Sequence, residues 1–403
     1  MTETYSIENG LFYKRVLKRD GSSVMSSIPA CGYTDATPEN FDKAWLMCKS
    51  LPKAEYHRTM NLADLFCGTG PMSLGVVEAG RCLGIDIQPK LGIDFNEDAA
   101  GNYKLNFPSA DVIVGDITEH INGLFGAPVT DAEKKLLEKV GNIDFMIAGP
   151  PCQGHSDLNN HTRRDDPRNQ LIFVATRFAE IASPDYVIIE NVQGIRHDKH
   201  NVLELAKNQL RELGYTLYEN LLMASKFGVG QKRRRFILVA SKEHLDFNVE
   251  QYERENTTSS LWAMGDLACT YDENSVFNSS AKHSAVNQKR IDYLFANGLY
   301  ELPNELRPKC QQSENNRYTS VYGRMYPDAP APTITSGFGS IGQGRFAHPL
   351  SPRSLTPHEA SRVQFIPDFF KFGNQLSRVA LQKMIGNAVP PKLTYLLTLE
   401  LLR

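Results

Sequence analysis

The sequence predicts an α/β protein. A mostly parallel, Rossmann-like sheet with helices on both faces is joined to a second, smaller irregular domain. Three observations carry this expectation. From Asn61 to about residue 240, short apolar runs alternate with helix-like stretches, as βαβ units require. Most of the runs end in a Gly-rich turn or an acid, and ligands gather at the carboxyl edge of such sheets. Between 241 and 349 the alternation fades into a stretch rich in Asn, Ser, Tyr, Gly and Pro.

In chain order, residues 1–58 read as a mixed polar arm of unassigned role, with one helix expected around 38–50. Strands are expected in the runs at 61–66, 83–96, 111–116, 143–149, 186–191 and 236–240. Helices are expected at 97–106, 131–140, 168–182 and 200–213, and again at 356–364, 376–385 and 391–403. The expected divisions are an arm at 1–58, a catalytic and cofactor-binding domain at 59–240, an irregular domain at 241–349, and a segment at 350–403 returning to the catalytic domain.

Composition narrows the class. The 403 residues are 41% hydrophobic and 22% charged. No apolar run reaches the roughly 18 residues of a membrane span, and no secretory leader is read at the N-terminus, so a cytoplasmic protein is expected. Seven cysteines occur without a CxxC pair or zinc spacing. Free thiols and no metal are therefore expected. The net charge of −2 does not advertise nucleic-acid binding, so any such surface must come from segregated basic patches.

The chemistry-bearing motifs follow the runs. DLFCGTGPMSLG (64–75) is a strand entering a Gly-rich turn and a helix. Gly68 and Gly70, with Thr69 between them, let backbone approach a nucleoside-type cofactor. An acid after the second strand suits ribose hydroxyls. Asp94 is preferred because it lies just before a helix, beside Phe95, which offers a ring to adenine. Asp86 is the competing choice. Asp116, followed by Ile117, ends the third strand within reach of an adenine amino group. In GPPCQGHS (149–156), prolines and glycines make a poor place to bury Cys152, and a reactive thiolate needs exposure near positive charge. Arg163, Arg164 and Arg168 follow closely. Glu190 closes YVIIEN, in phase with Cys152. In QKRRRF (231–236), alternation along an extended strand would aim Arg233 and Arg235 the same way, suiting phosphate or a carbonyl-bearing base.

Taken together, DLFCGTG, GPPCQG, ENV, QKRRRF, PAPTIT and GNAVPP, in that order from about Asn61 to Pro391, resemble the DNA (cytosine-5)-methyltransferase family. The resemblance implies a Rossmann-like S-adenosylmethionine-dependent methyltransferase domain and a target-recognition domain between Arg235 and Arg324. It implies Cys152 as nucleophile, Glu190 as the acid on the target cytosine, and Arg233 and Arg235 as the arginines holding base and backbone. It implies cofactor contacts at Phe66, Gly68, Thr69, Gly70, Asp94, Phe95, Asp116, Ile117, Asn387 and Val389. Double-stranded DNA would be met by Gln153, Ser156, Arg163, Arg164, Arg168, Gln231, Arg234, Lys289 and Arg290, with Lys282, Arg317 and Arg324 as further cationic candidates. A monomer is expected, with a cognate restriction endonuclease as the candidate partner. His155 departs from the family's usual Phe. The rival classes are a tRNA cytosine-5 methyltransferase, a non-catalytic DNA-binding relative and a nicotinamide-type Rossmann enzyme. The Cys-Phe-Thr tripeptide usual in the tRNA enzymes does not occur here.

Overall fold

The computed structural model describes residues 3–151, 170–312 and 320–403. The chain divides into two compact units: 1–223 with 234–253 and 391–403, and 224–233 with 254–390.

The first unit opens with strands β1 (Glu3–Glu8), β2 (Leu11–Leu17) and β3 (Ser23–Pro29) and helix α1 (Pro38–Met47). There follow β4 (Arg58–Leu65), α2 (Pro71–Leu83), β5 (Ile85–Asp94), α3 (Glu97–Asn106), β6 (Asp111–Val114), α4 (Asp131–Val140) and β7 (Phe145–Ala148). Next come α5 (Ile172–Ala182), β8 (Tyr186–Asn191), α6 (Val202–Glu212), β9 (Thr216–Met223) and β10 (Arg234–Ser241). The second unit carries α7 (Ser260–Met264), α8 (Ala285–Ala296), α9 (Pro357–Val363) and α10 (Arg378–Asn387). The last helix, α11 (Pro391–Leu402), belongs to the first unit.

The main sheet has seven strands in the order β6-β5-β4-β7-β8-β10-β9. β4 to β8 are mutually parallel, while β10 runs antiparallel to both β8 and β9. Parallel strands covered on both faces read as continuous apolar runs, which is why β7 (FMIA) and β8 (YVIIEN) are buried throughout. β10 was expected among the strands, but its antiparallel direction was not. β9, with one buried residue among half-buried and exposed ones, was not expected at all. The helices expected at 97–106 and 131–140 are α3 and α4, and those expected at 168–182 and 200–213 are α5 and α6.

The N-terminal residues do more than form an arm. β1, β2 and β3 make an antiparallel sheet of their own. Phe12 of β2 packs against Phe41 of α1 with ring centroids 5.3 Å apart. Beside them Lys14 is 1% exposed, with Nζ 3.0 Å from Tyr395 Oη on α11 and 3.4 Å from Glu3. The same Nζ lies 4.3 Å from the Phe41 ring centroid, so the buried charge is met by a carboxylate, a hydroxyl and a π-face.

α11 in turn lies against α2. The two helices touch where α2 has no side chain: a Cβ on Gly75 would collide with the Pro391 carbonyl and the Thr394 hydroxyl. Thr394 Oγ1 donates to the Met72 carbonyl at 3.0 Å across this contact. Gly75→Ala must push the helices apart, at a cost of about 2–4 kcal/mol. The expected result is a thermal midpoint lowered by several degrees in scanning calorimetry. An unchanged midpoint would show that the contact is soft.

In the second unit, residues 350–390 group with 254–349 rather than with the first unit. Buried polar bonds account for this. Gln231 accepts at Oε1 from Ile334 N (3.1 Å), and its Nε2 donates to Val363 O (3.1 Å) and Gln364 Oε1 (2.5 Å). Gln364 Nε2 donates to Ile385 O at 2.6 Å.

Candidate active site

In the first unit the carboxyl ends of β4, β5, β6, β7 and β8 carry the motif residues. β4 ends at Leu65 and the chain turns sharply. Phe66 has φ +61°, Gly68 +54° and Gly70 +97°. A non-glycine residue held in the left-handed region costs of order 1–3 kcal/mol and persists only where the surrounding structure holds it. Gly70 is also sterically required, because a Cβ there would stand 2.6 Å from Phe107 Cε2.

The turn is held from β5. Asp94 Oδ2 accepts from Gly68 N at 2.8 Å and Oδ1 from Asn96 N at 2.8 Å. Burial raises the Asp94 carboxyl above its ordinary range, opposed by these two backbone donors. The rivalry with Asp86 is now a matter of position. One ten-residue strand contains both, with Asp86 second and Asp94 last, so only Asp94 reaches the carboxyl edge. Beside it Phe95 is 81% exposed.

Asp116 caps the turn Ile117–Glu119, accepting at Oδ1 from Thr118 N (2.9 Å) and Thr118 Oγ1 (2.8 Å). The backbone bond, then the hydroxyl, holds its carboxyl below the ordinary range. Two expected cofactor side chains point elsewhere. Ile117 is 5% exposed and lies in the core. Thr69 is 2% exposed, its hydroxyl taken by the Asn102 side chain. Asn102 itself carried no signal in the polar sequence of α3.

Beneath the turn Asp64 is fully enclosed, accepting from Ser73 Oγ at 2.6 Å; Ser73 Oγ is also 2.9 Å from Tyr103 Oη. Burial above all pushes its carboxyl up to about 8, opposed by Ser73 and assisted by Asp94. The folded protein therefore keeps a proton that the unfolded chain releases near pH ~3.9. Between those values the unfolded state binds fewer protons, so this group's contribution falls as pH rises from about 4 to about 8 and is then lost. Asp64→Asn cannot titrate. Urea midpoints followed across that window should slope less in the variant, and an identical slope would show that Asp64 does not hold the proton.

β7 leads to Gly149, whose N donates to Leu65 O at 3.1 Å. A Cβ on Gly149 would lie 3.9 Å from both Glu190 Oε2 and the Phe66 carbonyl. The GPPCQG segment thus departs beside Glu190. Cys152, Gln153, His155, Ser156, Arg163, Arg164 and Arg168 lie outside the described residues, as does Arg317.

Glu190 is 8% exposed on β8. Its Oε1 is 2.6 Å from Arg235 Nε. The register explains the pair: Glu190 faces Ile237 across the ladder, and Arg235, two residues before Ile237, shares its face. Arg235 Nη1 also donates to Arg234 O at 2.8 Å.

Arg233 does not follow the expected alternation, because β10 begins only at Arg234. Within the second unit Arg233 is 2% exposed, donating through Nη1 to Ile334 O (3.0 Å) and Gly386 O (3.3 Å) and through Nη2 to Asn387 O (3.4 Å). Its guanidinium binds the PAPTIT segment to the end of α10, while Arg235 binds Glu190. The expected pair of parallel guanidinium groups is corrected accordingly. Gln231 is corrected too: at 0% exposure, with its amide engaged as described, its side chain is structural rather than a DNA contact. Asn387, the last residue of α10, is exposed, and Val389 is 6% exposed.

Of the cationic candidates, Arg234, Lys282 and Lys289 are exposed. Arg290 is held by Asn287 Oδ1 (2.8 Å) and Leu306 O (2.9 Å), and lies over the Tyr322 ring. Arg324 donates to Pro349 O at 2.6 and 2.8 Å and stacks on Phe295 at 4.0 Å. No group of three or more potential metal ligands occurs among the described residues, and no described helix is long and apolar enough to cross a membrane.

The sites fit a nucleoside-bearing cofactor. A side chain on Gly68 would enter open space, the Phe95 ring is bare, and the half-buried Asp94 anchors the turn beside them.

The chain is 46% identical over 408 residues to the Type II methyltransferase M1.BsuMI of Bacillus subtilis, covering all of this chain and 95% of that one. It is 28% identical over 380 residues to the Type II methyltransferase M.DdeI of Desulfomicrobium norvegicum, covering 83% and 86%. By fold it matches the Entamoeba histolytica methyltransferase EhMeth with TM-score 0.56 at 16% identity, covering 85% of this chain and 98% of that one. The sequence profile of C-5 cytosine-specific DNA methylase matches residues 60–403, nearly all that follows the N-terminal sheet and α1. The chain therefore belongs to the C-5 cytosine-specific DNA methylases, enzymes that methylate cytosine in DNA.

Proposed function

We propose that this chain methylates carbon 5 of a cytosine flipped out of duplex DNA, with Cys152 as covalent nucleophile and S-adenosylmethionine as methyl donor. The observation that carries this is the Glu190–Arg235 pair at 2.6 Å, placed where the GPPCQG segment leaves β7.

Cytosine carbon 5 is a poor nucleophile. Attack of the Cys152 sulfur on carbon 6 places electron density on carbon 5. Glu190 engages N3 and the exocyclic amino group as that density develops. Arg235 holds the Glu190 carboxylate in place and offers its remaining N–H groups to the O2 side. The donor, when bound, supplies an electrophilic methyl group. The backbone at Gly68 and the Asp94–Phe95 pair would hold it, Asp94 at the ribose and Phe95 against adenine, with Asp116 at the adenine amino group. Loss of the carbon-5 proton then restores aromaticity and expels Cys152. Flipping costs a few kcal/mol, which contacts to phosphates offset. Lys282 and Lys289 on the second unit are suited to such contacts.

A Type II modification role inside the bacterial cytoplasm, as a monomer alongside a cognate endonuclease, fits the relatives' names. The test is incubation of the protein with mixed-sequence duplex DNA and methyl-labelled S-adenosylmethionine, with tRNA as competitor. Label is expected in DNA as 5-methylcytosine, undiminished by tRNA. Label confined to tRNA would overturn the DNA assignment.

A further inference from the structure

We propose that Cys31 and Cys48 form an oxidisable thiol pair, which a hydroperoxide converts into an intramolecular disulfide at the C-terminal end of α1. The pair lies in the N-terminal module, which precedes the family-matched residues, and takes no part in methyl transfer.

Backbone geometry brings the two together. Cys31 (φ +51°) and Gly32 (φ +88°) are consecutive left-handed residues. They form the centre of a tight turn closed by Tyr33 N donating to Ala30 O at 2.9 Å. The turn directs the Cys31 thiol at α1, with Sγ 3.7 Å from the Ala44 carbonyl. The last carbonyls of a helix lack intrahelical donors. The N–H of Cys48, which would ordinarily serve Ala44, bonds instead to Trp45 O at 3.3 Å. Cys31 thus caps the last turn of α1, and Cys48 is the residue that ends it.

Both thiols thus sit at the last turn of α1, and Cys31 is among the groups that bear on the Cys48 thiol. Their surroundings differ. Cys31 is exposed, while Cys48 is 1% exposed. Burial, then the neighbouring Cys31, pushes the Cys48 thiol up to about 12. Glu78 and Arg81 of α2 are the charged groups facing it. Other described cysteines have other neighbours: Cys82 meets the Ser26 hydroxyl and the Glu78 carboxylate, and Cys67 the Gly68 carbonyl.

This asymmetry divides the labour. Hydroperoxide reaches Cys31, whose thiolate attacks one peroxide oxygen. The O–O bond breaks, the other oxygen leaves as an alcohol or water after taking a proton, and Cys31 becomes a sulfenic acid. The Cys48 sulfur then displaces hydroxide from the Cys31 sulfur. The hydroxide and the Cys48 proton leave together as water. Two thiols and one peroxide have become one disulfide, one alcohol (or water) and one water. A reducing cytoplasm holds the pair as thiols at rest and restores it by thiol exchange.

The test is to treat the full-length protein with hydrogen peroxide, block remaining thiols by alkylation, and map tryptic peptides. Cleavage after Lys43 separates Cys31 from Cys48. The expected result is a reductant-sensitive link between residues 20–43 and 44–49, outweighing sulfinylated Cys31. Cys31→Ser should leave Cys48 unlinked and the methylation rate unchanged. Sulfinylated Cys31 outweighing the link in the unaltered protein, or a link from Cys31 to another cysteine, would overturn the proposal.

Discussion

Replacing Cys152 by alanine is expected to abolish methyl transfer while leaving DNA and S-adenosylmethionine binding within a few-fold of the unaltered enzyme. Without a sulfur to add at carbon 6, carbon 5 has no electron density with which to attack a methyl group. Removal of a covalent nucleophile costs on the order of 10⁴-fold or more in kcat, equivalent to at least about 5.5 kcal/mol of barrier. Single-turnover methylation of a duplex, beside a mobility-shift titration, separates the two quantities. A variant that methylates within about tenfold of the unaltered rate would remove Cys152 from the mechanism.

The second large effect is expected at Glu190. Glu190→Gln keeps the size of the side chain but removes its charge, and a positioned acid contributes typically 10²–10⁴-fold. A loss of roughly that size is expected in kcat, with little change in KM for the methyl donor. The substitution also leaves Arg235, only 15% exposed at its side chain, without its carboxylate. Breaking a buried pair destabilises by roughly 3–5 kcal/mol, and less when the pair is partly exposed. Calorimetry therefore accompanies the kinetics. If the rate fell only in proportion to unfolded protein, Glu190 would be structural. If kcat fell in fully folded protein, the chemical role stands.

The parts legible in the sequence share one property: their partners are close in sequence or fixed by the strand period. The runs that became β7 and β8 are buried on both faces, so their character was largely apolar. The turn from Phe66 to Gly70 was legible because glycine marks a backbone constraint, although the left-handed Phe66 was not foreseen. Asp94 could be preferred over Asp86 only by its neighbour helix and by Phe95 beside it, because both acids lie in one strand and the strand's end was not written in either LGID copy.

What was not legible depended on distant partners. The β2 alternation LFYKRVL buries Lys14, and a buried lysine looks like a break until Tyr395, 381 residues away, is placed beside it. Arg233 and Arg235 look equivalent in QKRRRF. They separate because Arg233 binds carbonyls 101 to 154 residues downstream, while Arg235 finds Glu190 across the ladder. Gln231 followed Arg233 into the buried amide bonds of the second unit. The family resemblance supplied the roles of Cys152 and Glu190, and physical spacing alone supplied only their common edge.

The most direct measurement uses duplex DNA in which cytosine carries fluorine at carbon 5. Fluorine cannot leave as a proton does, so a protein sulfur added at carbon 6 stays attached after methyl transfer. With S-adenosylmethionine present, a protein–DNA species that survives denaturation is expected, mapping to the peptide that contains Cys152 and absent from Cys152→Ala. A link at another residue, or no link in a preparation that methylates ordinary duplex, would contradict the covalent mechanism.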